Sequence, residues 1–108
     1  MKNGINLWLD DKRDPKEFSP HIDWVWVKTA KVAIAALEAG VVECISLDHD
    51  LGPEWETGNG YMVAKWIEEA AYLRKIPKLA WSVHSQNSVG VASMKMALNN
   101  ADRYWAGA

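Results

Sequence analysis

The chain has 108 residues, 49 % of them apolar, a net charge of −2 and one cysteine. That length supports a single domain, residues 1–108, with one core, and the scattered Lys and Arg exclude an extended nucleic-acid-binding surface. The lone Cys44 excludes a disulfide framework, and neither a membrane-length apolar run nor a signal-peptide pattern is present, so a cytoplasmic protein without a membrane partner is expected.

Taken in order, the residues alternate between strand and helix patterns. Ile5-Asn6-Leu7-Trp8-Leu9 is a first strand that ends on Asp10-Asp11. Residues 12–23 contain Pro15 and Pro20, which leaves room for a short turn or an irregular segment rather than a full crossover helix. Trp24-Val25-Trp26-Val27-Lys28 has the β-branched and aromatic content of a strand. Thr29 can cap a helix to about Ala39, with Ala30, Ala33, Ile34 and Leu37 on one face and Gly40 at its end. A third strand, about 43–47, runs into Asp48-His49-Asp50 and breaks at Gly52-Pro53. A helix follows from about Gly60 to Arg74, with Val63, Trp66, Ile67 and Ala70 as its apolar stripe, and Pro77 stops it. Leu79-Ala80-Trp81-Ser82-Val83 is the fourth strand, and a last helix starts near Asn87 or Ser88. Trp8, Trp24, Trp26, Trp66 and Trp81 all fall within these elements and are expected to fill core.

Apolar strands that alternate with amphipathic helices imply a parallel sheet covered on both sides. The expected fold is therefore a three-layer α-β-α sandwich with a parallel sheet of four strands, or five, and a shortened or absent first crossover helix. Right-handed crossovers bring every strand's carboxyl end to one edge. At that edge Asp10 and Asp11, then Asp48, His49 and Asp50, then His84, Ser85 and Asn87 should gather. Two like charges about 4 Å apart repel by roughly 4 kcal/mol at an effective dielectric near 20. Either some of these carboxyls are protonated, or a hard divalent cation sits among them, and short Asp side chains suit Mg²⁺, Mn²⁺ or Ca²⁺ better than zinc. Asp50 either joins this site or holds the turn before Gly52.

Of the three histidines, His21 lies in the proline-flanked loop and reads as a surface residue. His49 is bracketed by Asp48 and Asp50, which would hold its ring in one tautomer. His84 ends the fourth strand beside a helix N-terminus, a place suited to a phosphate or to acid–base work; the competing reading is a histidine that ties a loop to the sheet. Gly58-Asn59-Gly60 could bring backbone N–H groups, that of Gly60 included, close to an anion.

Together these residues resemble a response-regulator receiver domain, with an acidic pair after the first strand and an Asp after the third. The resemblance is closer to the divergent branch of cyclic-phosphate-processing receiver-like domains. It is carried by Leu7-Trp8-Leu9-Asp10-Asp11-x-Arg13-x-Pro15, by Leu47-Asp48-His49-Asp50-Leu51-Gly52, by Gly60-Tyr61 and by His84-Ser85-x-Asn87-x-x-Gly90. It spans residues 7 to about 98. It implies that Asp10 and Asp11 bind metal, that Asp48 matches the phospho-accepting acid, and that Arg13 joins the site as a phosphate contact. A final strand with the receiver family's Lys is not evident.

The expected function is a metal-assisted phosphoesterase whose partner is a phosphate-containing small molecule or a nucleic-acid end, including a 2′,3′-cyclic phosphate. Asp10, Asp11 and Asp48 would hold Mg²⁺ or Mn²⁺, His49 and His84 would serve as acid and base, and Ser85 and Asn87 would steady the phosphate. In a covalent variant Asp48 attacks phosphorus. The alternative is a receiver-like signalling or phospho-ligand-binding module with Asp48 as acceptor. A His-Asp phosphohydrolase reading of His49-Asp50 is set aside, because that family carries the pair on a helix.

Overall fold

The computed structural model describes residues 4–107. Strand β1 (Ile5–Leu9) lies inside the sheet, bonded in parallel to β2 (Trp24–Val27) on one side and β3 (Val42–Leu47) on the other; β3 pairs in parallel with β4 (Ala80–Val83). The order is β2-β1-β3-β4, the four-stranded all-parallel arrangement of a receiver-like α/β fold. From β1 the chain moves outward to β2 and then returns across β1 to β3. The connections thus leave in opposite directions at β1 and β3, which opens a crevice between their carboxyl ends.

The helices form where the sequence caps them. Helix α1 (Ala30–Glu38) begins at Thr29, whose hydroxyl accepts the N–H of Val32 at 3.2 Å, and Gly40 leaves it at φ 74°. After a single turn, α2 (Glu54–Thr57), Asn59 caps α3 (Gly60–Tyr72) by accepting from Met62 N–H at 2.9 Å. Helix α3 stops two residues short of the expected Arg74. Arg74 instead sits in the left-handed region at φ 55°, Arg74 N–H donates to Ala71 O, and Lys75 N–H donates to Ala70 O at 2.8 Å. These are the two bonds of a Schellman termination, made here without glycine. Helix α4 (Ser88–Trp105) starts at Asn87, whose Oδ1 accepts Gly90 N–H at 2.8 Å. None of these helices is long and apolar enough to cross a membrane.

One core holds the molecule. Leu7 and Leu9 of β1 and Ile45 and Leu47 of β3 bury one sheet face against Ala33 and Leu37 of α1, Val63 and Ile67 of α3, and Met94 and Leu98 of α4. All three long helices therefore sit on the same face. The second helical layer of the expected sandwich does not form among the described residues. In its place, the Pro-bearing segment after β1 makes only a single 3-10 turn, Pro15–Glu17, and lays Phe18 on Trp8 with ring centroids 5.5 Å apart. Ala80 and Ser82 at the other side of that face are exposed. No fifth strand occurs among the described residues, since β4 leads into α4, the last element. Trp8 is buried as expected, whereas Trp26 is 37 % exposed.

Candidate functional site

The sheet ladder runs one residue past its strands and thereby pins the chemistry-bearing side chains. Asp10 N–H donates to Val27 O, Asp48 N–H to Leu9 O at 2.9 Å, and His84 N–H to Leu47 O at 3.0 Å. Asp10 and Asp48 thus stand side by side at the crevice between β1 and β3. Each of Asp10, Asp11 and Asp48 offers a carboxylate oxygen within 4.8 Å of the other two. Asp10 is 1 % exposed and Asp48 7 %.

Asp10 is oriented from three directions. Its Oδ1 accepts the backbone N–H groups of Lys12 at 2.9 Å and Arg13 at 3.0 Å, so the turn after β1 wraps around this carboxylate. Its Oδ2 lies 3.0 Å from Nε2 of His84. Nδ1 of His84 lies 2.7 Å from the Ser46 hydroxyl, which in turn accepts from Ser82 Oγ at 2.9 Å. The His84 ring stacks on Trp8 at 3.9 Å and 7°. Burial lowers the His84 pKa, against the opposing pull of Asp10 and Asp48, which favours the neutral ring. Both ring nitrogens are therefore engaged inside the protein.

Asp48 is held differently. Its Oδ1 accepts the following N–H, that of His49, at 2.9 Å. Burial raises its pKa and the neighbouring Asp10 adds to the rise, while the Ser85 hydroxyl, the His49 N–H and His84 pull it down. A carboxylate whose charge is resisted by burial and by a like charge is stabilised by an added cation. Three short carboxylates with oxygen donors fit a hard divalent ion such as Mg²⁺ or Mn²⁺.

A hollow of about 520 Å³ opens over this cluster, lined by the three acids together with Arg13, Ser85 and Asn87, among others. Arg13 Nη1 donates to the His84 carbonyl at 2.7 Å, which carries the guanidinium across from β1 to β4. Neither histidine ring lines the hollow. His49 Nδ1 is 2.9 Å from Asp50 Oδ1, and Asn87 Nδ2 lies 3.3 Å from the same nitrogen and 3.3–3.4 Å from the Asp50 oxygens. Asp50 is exposed, and its bond to His49 lowers its pKa. Asp50 also bridges to Asn59 across the loop, so the two alternatives for it do not exclude each other: it borders the hollow and lies in the turn.

Two glycines are required by close approach. A Cβ on Gly60 would sit 2.0 Å from the Asp48 carbonyl oxygen, and the Gly60 N–H donates to His49 O at 2.9 Å. Gly60 thus seats the end of β3 on α3; its N–H is spent within the protein rather than offered to an anion. A Cβ on Gly90 would meet the His49 ring at 2.5 Å. The spacing His84-Ser85-x-Asn87-x-x-Gly90 then has a physical reading: His84 reaches Asp10, Ser85 reaches Asp48, Asn87 caps α4 and reaches Asp50, and Gly90 makes room for His49.

Sequence reasoning missed Ser46, Ser82 and Trp26. The indole N–H of Trp26 donates to the Asp10 carbonyl at 2.7 Å. The available signal for Ser46 was a lone hydroxyl between Ile45 and Leu47, where a buried polar group must find a partner. His21 is exposed, as expected.

No match was found among curated proteins, and none among solved structures. The family model of the cyclic-phosphate processing receiver domain matches residues 5–100, from the first residue of β1 into α4 and through every acid and histidine of the site. The chain belongs to the cyclic-phosphate processing receiver domain family.

Proposed function

We propose that this protein is a metal-assisted phosphoesterase of the cytoplasm that acts on the phosphate of a nucleotide or an RNA end, with a 2′,3′-cyclic phosphate as the specific candidate. The observation that carries this reading is the convergence of Asp10, Asp11 and Asp48 on one side of a hollow whose other walls include Arg13, Ser85 and Asn87. A bound Mg²⁺ or Mn²⁺ supplies polarisation of the phosphoryl oxygens and activation of water. Asp10, Asp11 and Asp48 would hold the ion. Arg13, tethered to the His84 carbonyl, presents its remaining guanidinium N–H groups to phosphate oxygens, while Ser85 and Asn87, whose donors meet Asp48 and Asp50, shape the same wall. His84 has no free ring nitrogen and acts as a positioning residue for Asp10. His49 is oriented through Nδ1 by Asp50, and its ring lies behind Asp50 and Asn87 rather than in the hollow, so it serves as acid or base only where the substrate extends past these two side chains.

The test is turnover of 2′,3′-cyclic nucleotides with Mn²⁺ or Mg²⁺. Activity is expected to vanish with chelator and to fall at least 100-fold in Asp48→Asn; turnover indifferent to both would sink the metal-assisted reading.

The position of Asp48 at the end of β3, beside two candidate metal ligands, also supports a second reading: a receiver-like module that accepts a phosphoryl group there. Incubation with a small phosphodonor followed by intact mass separates the two. A stable adduct absent from Asp48→Asn, with no turnover of cyclic nucleotides, selects the module.

A further inference from the structure

We propose that Ser46 is a positioning residue: through His84 it aims the Asp10 carboxylate at the cation position. The inference rests on the metal-site reading above and adds to it a residue from the middle of a strand.

A carboxylate only accepts hydrogen bonds, so the 3.0 Å contact between Asp10 Oδ2 and His84 places the ring hydrogen on Nε2. Nδ1 is then an acceptor, and the Ser46 hydroxyl 2.7 Å away must donate to it. The Ser46 oxygen is free to accept, and Ser82 donates to it at 2.9 Å. The directions agree along the whole chain, from Ser82 to Ser46 to His84 to Asp10. A lone buried hydroxyl in an apolar strand costs free energy unless it is bonded, and Ser46 is 2 % exposed. Its neighbours Ile45 and Leu47 face the helices, so Ser46 lies on the opposite face, beneath the His84 ring.

The ring itself has little freedom. Trp8 stacks on it at 3.9 Å, and Trp8 Nε1 donates to the Arg13 carbonyl at 2.9 Å. With the plane set by Trp8, the tautomer by Asp10 and Nδ1 anchored by the Ser46 hydroxyl, Nε2–H approaches Asp10 Oδ2 from a fixed direction. The Lys12 and Arg13 amides hold Oδ1 from the other side. The carboxylate plane is thereby set, and one of its four acceptor sites, on Oδ2, is left for a cation shared with Asp11 and Asp48. Direct partners behind a metal ligand change metal affinity by about 10–100-fold when removed; His84 is that partner, and Ser46 acts through it, at the lower end of the range.

The experiment is nitrogen-15 NMR of the histidine rings together with Mn²⁺ binding, on the full chain carrying Ser46→Ala and Ser46→Thr. The wild-type His84 ring is expected as the single Nε2–H tautomer. In Ser46→Ala the hydrogen-bonded signature of Nδ1 disappears and Mn²⁺ affinity falls about 10-fold; Ser46→Thr, which keeps the hydroxyl, restores both. Should Ser46→Ala fail to fold, Ser46→Cys, close in size and a weak donor, carries the same comparison. A wild-type Nδ1–H tautomer, or a folded Ser46→Ala or Ser46→Cys protein with wild-type Mn²⁺ affinity, overturns the proposal and leaves the metal site standing. Failure of the wild type itself to bind Mn²⁺ overturns the metal-site reading as well, so the two failures are distinguishable.

Discussion

At the scale of single residues, Asp48 carries a charge that burial and its neighbour Asp10 resist. The raised pKa of Asp48 means that its ionised form is penalised in the native state relative to the unfolded chain. That penalty is absent below the unfolded value and grows as pH rises through the folded one. Asp48→Asn is therefore expected to stabilise the metal-free protein at neutral pH by about 0.5–2 kcal/mol, with the gain shrinking as pH falls, while removing function. Urea unfolding at several pH values checks this; an equal gain at all pH values would remove the electrostatic explanation. The asparagine can still accept the His49 N–H through its carbonyl, so the turn after β3 should survive.

At the scale of elements, caps and close approaches do the placing. Arg74 holds a left-handed conformation that costs a residue with a Cβ roughly 1–2 kcal/mol. Arg74→Gly relieves this, partly offset by the greater freedom of glycine in the unfolded chain, and should raise stability by about 0.5–1 kcal/mol without touching the site at the far edge of the sheet. Thermal unfolding reads this directly, and a loss of stability would show that the Arg74 side chain does more than end α3. Gly60→Ala runs the other way. The added methyl collides with backbone, the Asp48 carbonyl, rather than with a flexible side chain, so β3 and α3 must separate. A loss of about 2 kcal/mol or more, with weakened cation binding, is expected from overpacking at a rigid contact.

At the scale of the whole molecule, a divalent ion held at the β1–β3 crevice would join residues from two strands that otherwise repel. Ligands that bind only the native state stabilise it by about 2.7 kcal/mol at 100 times their dissociation constant. Saturating Mn²⁺ or Mg²⁺ should raise the unfolding temperature of the wild-type protein, chelator should reverse the rise, and Asp48→Asn should show none. A midpoint unmoved by either ion would argue that the three acids do not form a cation site. The one-sided helical layer bears on this as well. With no long helix on the second face among the described residues, the segment after β1 folds down on Trp8, and Arg13 reaches the His84 carbonyl.

By itself the amino-acid sequence determined the four strands, the three long helices, the parallel edge and the set of acids at it. These follow from local periodicity, from caps such as Thr29 and Asn87, and from the rule that parallel crossovers share a hand. It also marked Pro15 and Pro20 as barriers to a first crossover helix, and a single 3-10 turn is what forms there. Only the tertiary structure decided which face the helices cover, because that depends on which elements are present to compete for each face. It alone decided the partners of the histidines. A ring nitrogen finds the nearest buried group, and for His84 those groups are Ser46 and Asp10, residues 38 and 74 positions away in the chain. Pairings at such separations leave no trace in local spacing, so a residue that reads as an acid–base group by its position has, by its contacts, both ring nitrogens bonded within the protein.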